Sequence, residues 1–168
     1  VDAIAANKTF PWDFDEISDR SDLNWSFDFL QEFKELLTFE RVLLNVPSHI
    51  ISENLIFFIE WAEELSVQNT ISNFVSQHFS FDEIFNNKVL LVDKGINTDW
   101  SKSLKQYSDS QLGALYKSIS DQLDTIPSPQ NFMGCISSNC DLDFILENSD
   151  LPWDWILITG DRLEKELL

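Results

Sequence analysis

The sequence is poor in the residues on which several kinds of chemistry depend. Its 4 glycines, Gly95, Gly113, Gly134 and Gly160, are scattered singly, so they build no phosphate cradle; no P-loop, dinucleotide fingerprint or G-x-S-x-G elbow is present. Its 2 histidines, His49 and His78, stand far apart and outside any H-x-x-x-H or H-E-x-x-H arrangement, which points each to a structural or solvated role. The 2 cysteines, Cys135 and Cys140, lack the paired spacing and the nearby histidine of a zinc site. They read as reduced thiols, with a disulfide between them left open if their segment is a loop. No apolar run approaches the roughly 18 to 20 residues that span a bilayer, and no charged-then-apolar signal opens the chain. A cytoplasmic location without membrane contact is expected, and no catalytic residue, metal or cofactor is nominated.

Basic residues are scarce as well: 11 Lys and Arg stand against 29 Asp and Glu, a net charge of -18. The excess is uneven. Residues 1–85 hold 4 basic and 16 acidic residues, 86–118 hold 5 and 3, and 119–168 hold 2 and 10, for net charges of -12, +2 and -8. A small basic island (Lys88, Lys94, Lys102, Lys105, Lys117) therefore lies between two acidic stretches, which would repel phosphate backbones and anionic lipid. Direct nucleic-acid binding is not expected. Carboxylate pairs such as Asp13 with Asp15 and Glu16, Glu63 with Glu64, and Asp141 with Asp143 are too common to mark a site, and they read as solvated faces or helix caps. The stretch from Asp19 to Asp22 lacks the glutamate spacing of a calcium loop.

What the sequence does have is apolar and aromatic bulk: hydrophobic residues make up 43%, with 14 Phe and 6 Trp, well outside the composition of disordered chains. At 168 residues it is long enough for one packed domain or a short array of repeats, and 1–168 is read as a single acidic α-helical domain. The opening Val-Asp-Ala and the helix-like run at 161–168 suggest a piece of a larger protein.

Residues fall at steps of three and four in 23–37 (Leu23, Phe27, Leu30, Phe33 or Lys34, and Leu37), and apolar stripes recur in 52–65 (Leu55, Phe58, Ile59, Ala62) and in 109–123 (Leu112, Leu115, Ile119, Leu123), predicting amphipathic helices. Ser80 with Glu83 and Ser108 with Gln111 have capping-box spacing, and Pro129 and Pro152 suit a first helical position. One strand is predicted, over the β-branched run Lys88 to Asp93. The expected fold class is all-α: short antiparallel helices in an irregular solenoid-like array or bundle.

A phrase recurs. Pro11-Trp12-Asp13-Phe14, followed by Ile17-Ser18, returns as Pro152-Trp153-Asp154-Trp155, followed by Ile158-Thr159. Ile136-Ser137-Ser138-Asn139, leading to Asp141-Leu142 and Phe144, repeats the pattern of Ile17 to Trp25. The reading is a unit of two short helices: the tryptophan and the next aromatic open the first, the Ile-Ser pair closes it, and an Asp or Asn caps the second. Such a unit cannot bury its own aromatic face, so neighbours must stack on it.

Leu151-Pro-Trp-Asp-Trp155 and Ile136-Ser-Ser-Asn139 resemble a family of short tryptophan-rich helical repeats of giant-virus and some bacterial proteins, in which an L-P-W-D-W phrase alternates with an I-S-x-N phrase. The likeness covers 132–160 and 10–33 and little of the residues between. It implies an α-helical array and transfers no catalytic residue.

The helical spacing of the tryptophans favours the core. Trp100 and Trp155 are the two selected for exposure, Trp100 because it adjoins Lys102 and Lys105 in the basic island, and these four residues form the expected partner contact. Three functions follow: a non-catalytic protein-interaction scaffold with a protein partner, favoured by repeat-like aromatics; an acidic mimic of nucleic acid that inhibits a basic protein; and a hydrolase using paired carboxylates.

Overall fold

Helices among the described residues are short, because the polar residues that stop and start them come every few residues. The protein is seen in a computed structural model that describes residues 1–162. All regular structure among the described residues is helical, so the all-α class is observed. Contacts group into two units, Val1–Phe74 and Val75–Leu168, and the division falls within one helix.

The first unit runs through α1 (Asp2–Ala6), α2 (Phe14–Ser18), α3 (Phe27–Phe33), α4 (Phe39–Asn45), α5 (Ser48–Glu53), α6 (Leu55–Glu64) and the start of α7 (Gln68–His78). Its core is aromatic. Phe29 lies 4.6 Å from Phe33 and 5.8 Å edge-on from Trp25, while Phe39 meets Trp61 edge-on at 5.0 Å. The second unit holds α8 (Phe81–Asn86), α9 (Lys88–Asp93), α10 (Trp100–Ser103), α11 (Asp109–Ile119), α12 (Pro129–Asn139), α13 (Leu142–Glu147) and α14 (Trp155–Leu157). Here Trp100, Tyr116 and Phe132 are fully buried together with Ile84, Leu91 and Ile136.

The predicted helices form, but shorter. The 23–37 pattern gives α3 followed by a 3-10 turn at Lys34–Leu36, and the 109–123 pattern gives α11 followed by a 3-10 turn at Ser120–Thr125. The 52–65 pattern divides at Asn54, where α5 ends and α6 begins. Both capping boxes are made, at Ser80 with Glu83 and at Ser108 with Gln111, and Pro129 opens α12. Pro152 does not open a helix: α14 starts at Trp155, where the Asp154 side chain accepts the Leu157 amide.

The predicted strand over Lys88 to Asp93 is a correction, since these residues form α9. The β-branched run overstated its extended tendency because only Leu91 is buried, while Val89 and Val92 are 66% and 47% exposed, a one-sided burial that a helix provides. Gly95, at φ 64°, then ends the helix in a Schellman turn: its amide donates to Val92 O at 3.0 Å and the Ile96 amide to Leu91 O at 2.8 Å. The same two bonds close α6, from Ser66 to Glu63 O and from Val67 to Ala62 O, although the left-handed position there belongs to Ser66 at φ 59°.

A second device ends helices without glycine. Six asparagines, Asn7, Asn45, Asn54, Asn87, Asn139 and Asn148, each donate Nδ2 to the carbonyl four residues back at 2.8–2.9 Å. Three residues before each stands a buried β-branched residue, Ile4, Val42, Ile51, Ile84, Ile136 or Ile145. Helix ends leave backbone groups short of partners, and the asparagine amide adds a donor in the last turn, at Glu83 O and Phe144 O beside the asparagine's own backbone amide.

The two Pro-Trp-Asp phrases fold alike. Trp12 and Trp153 each donate the indole N–H to the carbonyl five residues back, Asn7 O at 3.0 Å and Asn148 O at 2.7 Å. Asp13 and Asp154 cap the following helix, Ile17 and Ile158 are buried, and Ser18 and Thr159 donate to the carbonyl four back. The helix thus opens one residue after the aspartate, with the tryptophan outside it as an anchor. Asp22 does not cap α3 as the repeat reading had it; Ser26 does, and Asp22 is held by Arg20.

Two stability predictions follow from these ends. Trp153 is 6% exposed, and Trp153→Ala should cost about 3–5 kcal/mol in denaturant unfolding, with a distinctly smaller loss for the half-buried Trp12→Ala. Equal losses would contradict the difference in burial. Ser66→Gly should raise stability by about 1 kcal/mol, because glycine adopts the left-handed position without the steric cost that serine bears. An unchanged or lowered melting temperature would show that the position carries no such strain.

Candidate functional site

The segment around α10 is tied down by backbone amides that find side-chain acceptors. The Ser128 hydroxyl accepts the Thr98 amide at 3.1 Å, Ser76 accepts the Asp99 amide at 2.9 Å, and Asn131 accepts the Trp100 amide at 2.8 Å. Asp99 in turn caps α10, and the Ser101 hydroxyl donates to it at 2.6 Å. That bond, with Lys102 Nζ at 3.7 Å, holds the Asp99 carboxyl below the usual carboxylate range despite some desolvation. Thr98 Oγ1 is buried without a hydrogen-bond partner.

Ser128 carries the cost of this arrangement at φ 52°, immediately before Pro129. The gain is a fixed ledge: the Trp100 indole donates to Pro127 O at 2.7 Å and its ring meets Phe132 edge-on at 5.0 Å.

These contacts correct the exposure expected of Trp100. The ring is 0% exposed and belongs to the core. Its adjacency to lysines in sequence does not place it beside them in space, because residues of one helical turn point in different directions. Lys102 and Lys105 remain on the outside. Both line a groove of about 380 Å³ with His78, Ser80 and Glu83, and Lys105 also borders one of about 390 Å³ with Tyr107, Leu112 and Cys135. Trp155 is 41% exposed on α14, followed by Ile156 at 84%, and α10 and α14 both pack on α12.

Chemistry at these grooves is limited by the groups present. Cys135 and Cys140 are not joined in a disulfide; burial, aided by the nearby Asp99 charge, pushes the Cys135 thiol up, away from the thiolate form a nucleophile needs. Among the described residues no group of three or more His, Cys, Asp and Glu side chains is placed to hold a metal ion, and His49 and His78 are both exposed.

A third groove, in the first unit, was not foreseen. It measures about 350 Å³ and is lined by Ile4, Trp12, Ile17 and Leu23. The sequence signal that could have found it is the longer phrase Asp-x-Ile-x-x-Asn ahead of Pro-Trp-Asp, present at Asp2 and again at Asp143. In the second occurrence Tyr116 covers the tryptophan: ring centroids are 4.7 Å apart and the phenol donates to Pro152 O at 2.6 Å.

No protein family, curated protein or solved structure matches this chain.

Burial pushes the Tyr116 phenol up to about 12 from 10.0. A raised pKa stabilises the fold below the unfolded value and is lost as pH rises through the folded one. Stability should therefore fall between about pH 10 and pH 12, by roughly 3 kcal/mol for a shift of two units. Tyr116→Phe should flatten that part of the profile in chemical denaturation, and an equally steep fall in the variant would assign it to other groups.

Proposed function

We propose that this chain is a non-catalytic protein-recognition domain whose helices belong to the tryptophan-anchored repeat class its phrases resemble. One observation carries the reading: Trp155 and Ile156 stand 41% and 84% exposed on a surface of strong negative charge, while Trp25, Trp61, Trp100 and Trp153 are each no more than 6% exposed. An exposed indole beside an exposed isoleucine costs solubility and gains nothing for a chain that meets no partner. It is also the residue type that anchors protein interfaces.

The partner this surface suits is a protein offering an apolar pocket with a basic rim, since the acidic stretches repel acidic surfaces and steer basic ones. The shared device of indole, asparagine carbonyl and aspartate cap at Trp12 and Trp153 supports the repeat assignment. Among the described residues no helix is long and apolar enough to cross a membrane. A cytoplasmic setting suits two cysteines that are not joined in a disulfide.

The test is affinity capture with the chain and with Trp155→Ala/Ile156→Ala, after matching thermal melts show both folded. A protein retained by the parent and lost at least about tenfold by the variant is expected, the loss a single anchor of about 1.4 kcal/mol produces. Retention that tracks ionic strength and ignores the variant would favour the acidic mimic instead. Turnover of a glycoside or phosphoester by the chain, lost on a single Asp or Glu substitution, would overturn the non-catalytic reading.

A further inference from the structure

We infer that the groove over Trp12 is a docking seat for a partner helix that presents a small residue, a tyrosine three positions on and a cation at the fourth, the face that α11 turns toward α13. The argument is internal to the chain. The phrase beginning at Asp2 and the phrase beginning at Asp143 match at the aspartate, the isoleucine two on, the asparagine five on, and then through Pro-Trp-Asp to the Ile-Ser or Ile-Thr pair. They make the same hydrogen bonds at the asparagine, the indole, the capping aspartate and the final hydroxyl.

They differ in what lies on top. Over the second phrase α11 brings Gly113 so close to Phe144 that a Cβ there would stand 2.8 Å from the ring. It also lays Tyr116 on Trp153 with its hydroxyl on Pro152 O, and sets Lys117 Nζ 2.9 Å from Asn148 Oδ1. Over the first phrase Ala3 and Trp12, the equivalents of Phe144 and Trp153, border the open groove of about 350 Å³, Pro11 precedes Trp12, Asn7 O accepts its indole, and the ring that lies 4.7 Å from Trp12 is Phe10 rather than one from another helix.

The difference in cover shows in exposure. Phe10 is 58% exposed where its counterpart Leu151 is half-buried, and Trp12 is half-buried where Trp153 is 6% exposed. Ala3 in place of Phe144 gives the incoming helix more room than Gly113 needs.

Charge complements shape. Asp13 and Glu16 stand at the groove, and the Arg20 guanidinium there is already held by Asp22 through two bonds of 2.6 Å. The rim therefore favours a partner that carries a cation, as α11 carries Lys117 over the second phrase. Indole and carbonyl together favour an aromatic that also carries a hydroxyl donor. The inference goes beyond the recognition reading, which concerns Trp155 in the other unit, and either can fail alone.

The probe is a labelled peptide of residues 108–119, held helical by a lactam between positions 111 and 115 on the side away from Gly113, Tyr116 and Lys117, and titrated into the full chain by fluorescence anisotropy. Saturable binding is expected, weakened at least about tenfold by Leu23→Lys and by Trp12→Ala and unchanged by Trp155→Ala. The peptide with Tyr116→Phe should bind about two- to tenfold more weakly, the range of one neutral hydrogen bond. Leu23→Lys alters the groove wall without removing a tryptophan, so it decides the matter if Trp12→Ala fails to fold. No binding, or binding that survives Leu23→Lys, places the peptide nowhere or elsewhere and overturns the assignment. Self-association of the chain that Leu23→Lys abolishes and the peptide cannot reverse would give the seat to a second copy instead.

Discussion

The fold depends on the cost of ending a helix. Its longest helices have 11 residues and several have five or six, so the chain stops and restarts every few turns. Each end leaves up to four amides or carbonyls without a helical partner, and burying them unpaired would cost more than the short helices gain. Four side-chain types absorb the problem. Asp13, Ser26, Ser80, Asp99, Asp141 and Asp154 accept amides at helix starts, asparagines donate to carbonyls at helix ends, and Trp12, Trp25 and Trp153 donate to carbonyls just beyond them. Part of the acidic excess is thus structural, since aspartates at helix N-termini also face the positive end of the dipole.

Buried serines extend the same economy to contacts between helices. Ser18, Ser76 and Ser137 each follow a buried β-branched residue and accept the backbone amide of the residue that stands just before another helix, Thr38, Asp99 and Asp154. One hydroxyl therefore joins the last turn of one helix to the start of a later one, α2 to α4, α7 to α10 and α12 to α14. This is a specific linkage, because a helix shifted by a single residue would leave an amide buried and unpaired.

These rules explain which parts of the structure were legible in the sequence. Capping boxes at Ser80 and Ser108 could be read directly, since spacing alone defines them. The asparagine ends could be seen only in part: Ile136 to Asn139 stood out as a phrase, while Val42 to Asn45 and Ile84 to Asn87 did not, for their intervening residues differ. Lys88 to Asp93 misled because propensity reports what a residue packs well in, and tertiary packing of Leu91 on one side decided the matter. Trp100 misled for a different reason. Its neighbours Lys102 and Lys105 are surface residues, but the indole is drawn inward by a carbonyl, Pro127 O, that lies 27 residues away in sequence, and no local pattern announces a contact of that range.

The two Pro-Trp-Asp phrases separate what a motif fixes from what its surroundings fix. Caps, indole hydrogen bond and buried isoleucine are the same in both, so the phrase determines the local turn. Exposure of the tryptophan differs, so burial is set by whatever stands across from it. Trp153 reaches the core because α11 gives up a side chain at Gly113 and supplies a ring at Tyr116, two residues whose demands could not be met by an arbitrary helix. An aromatic phrase of this kind is half of an interface wherever it occurs. Its other half comes from the same unit over Trp153, and where a groove stands open, as at Trp12, the shape and donors that a second half would need can be read from the half that is present.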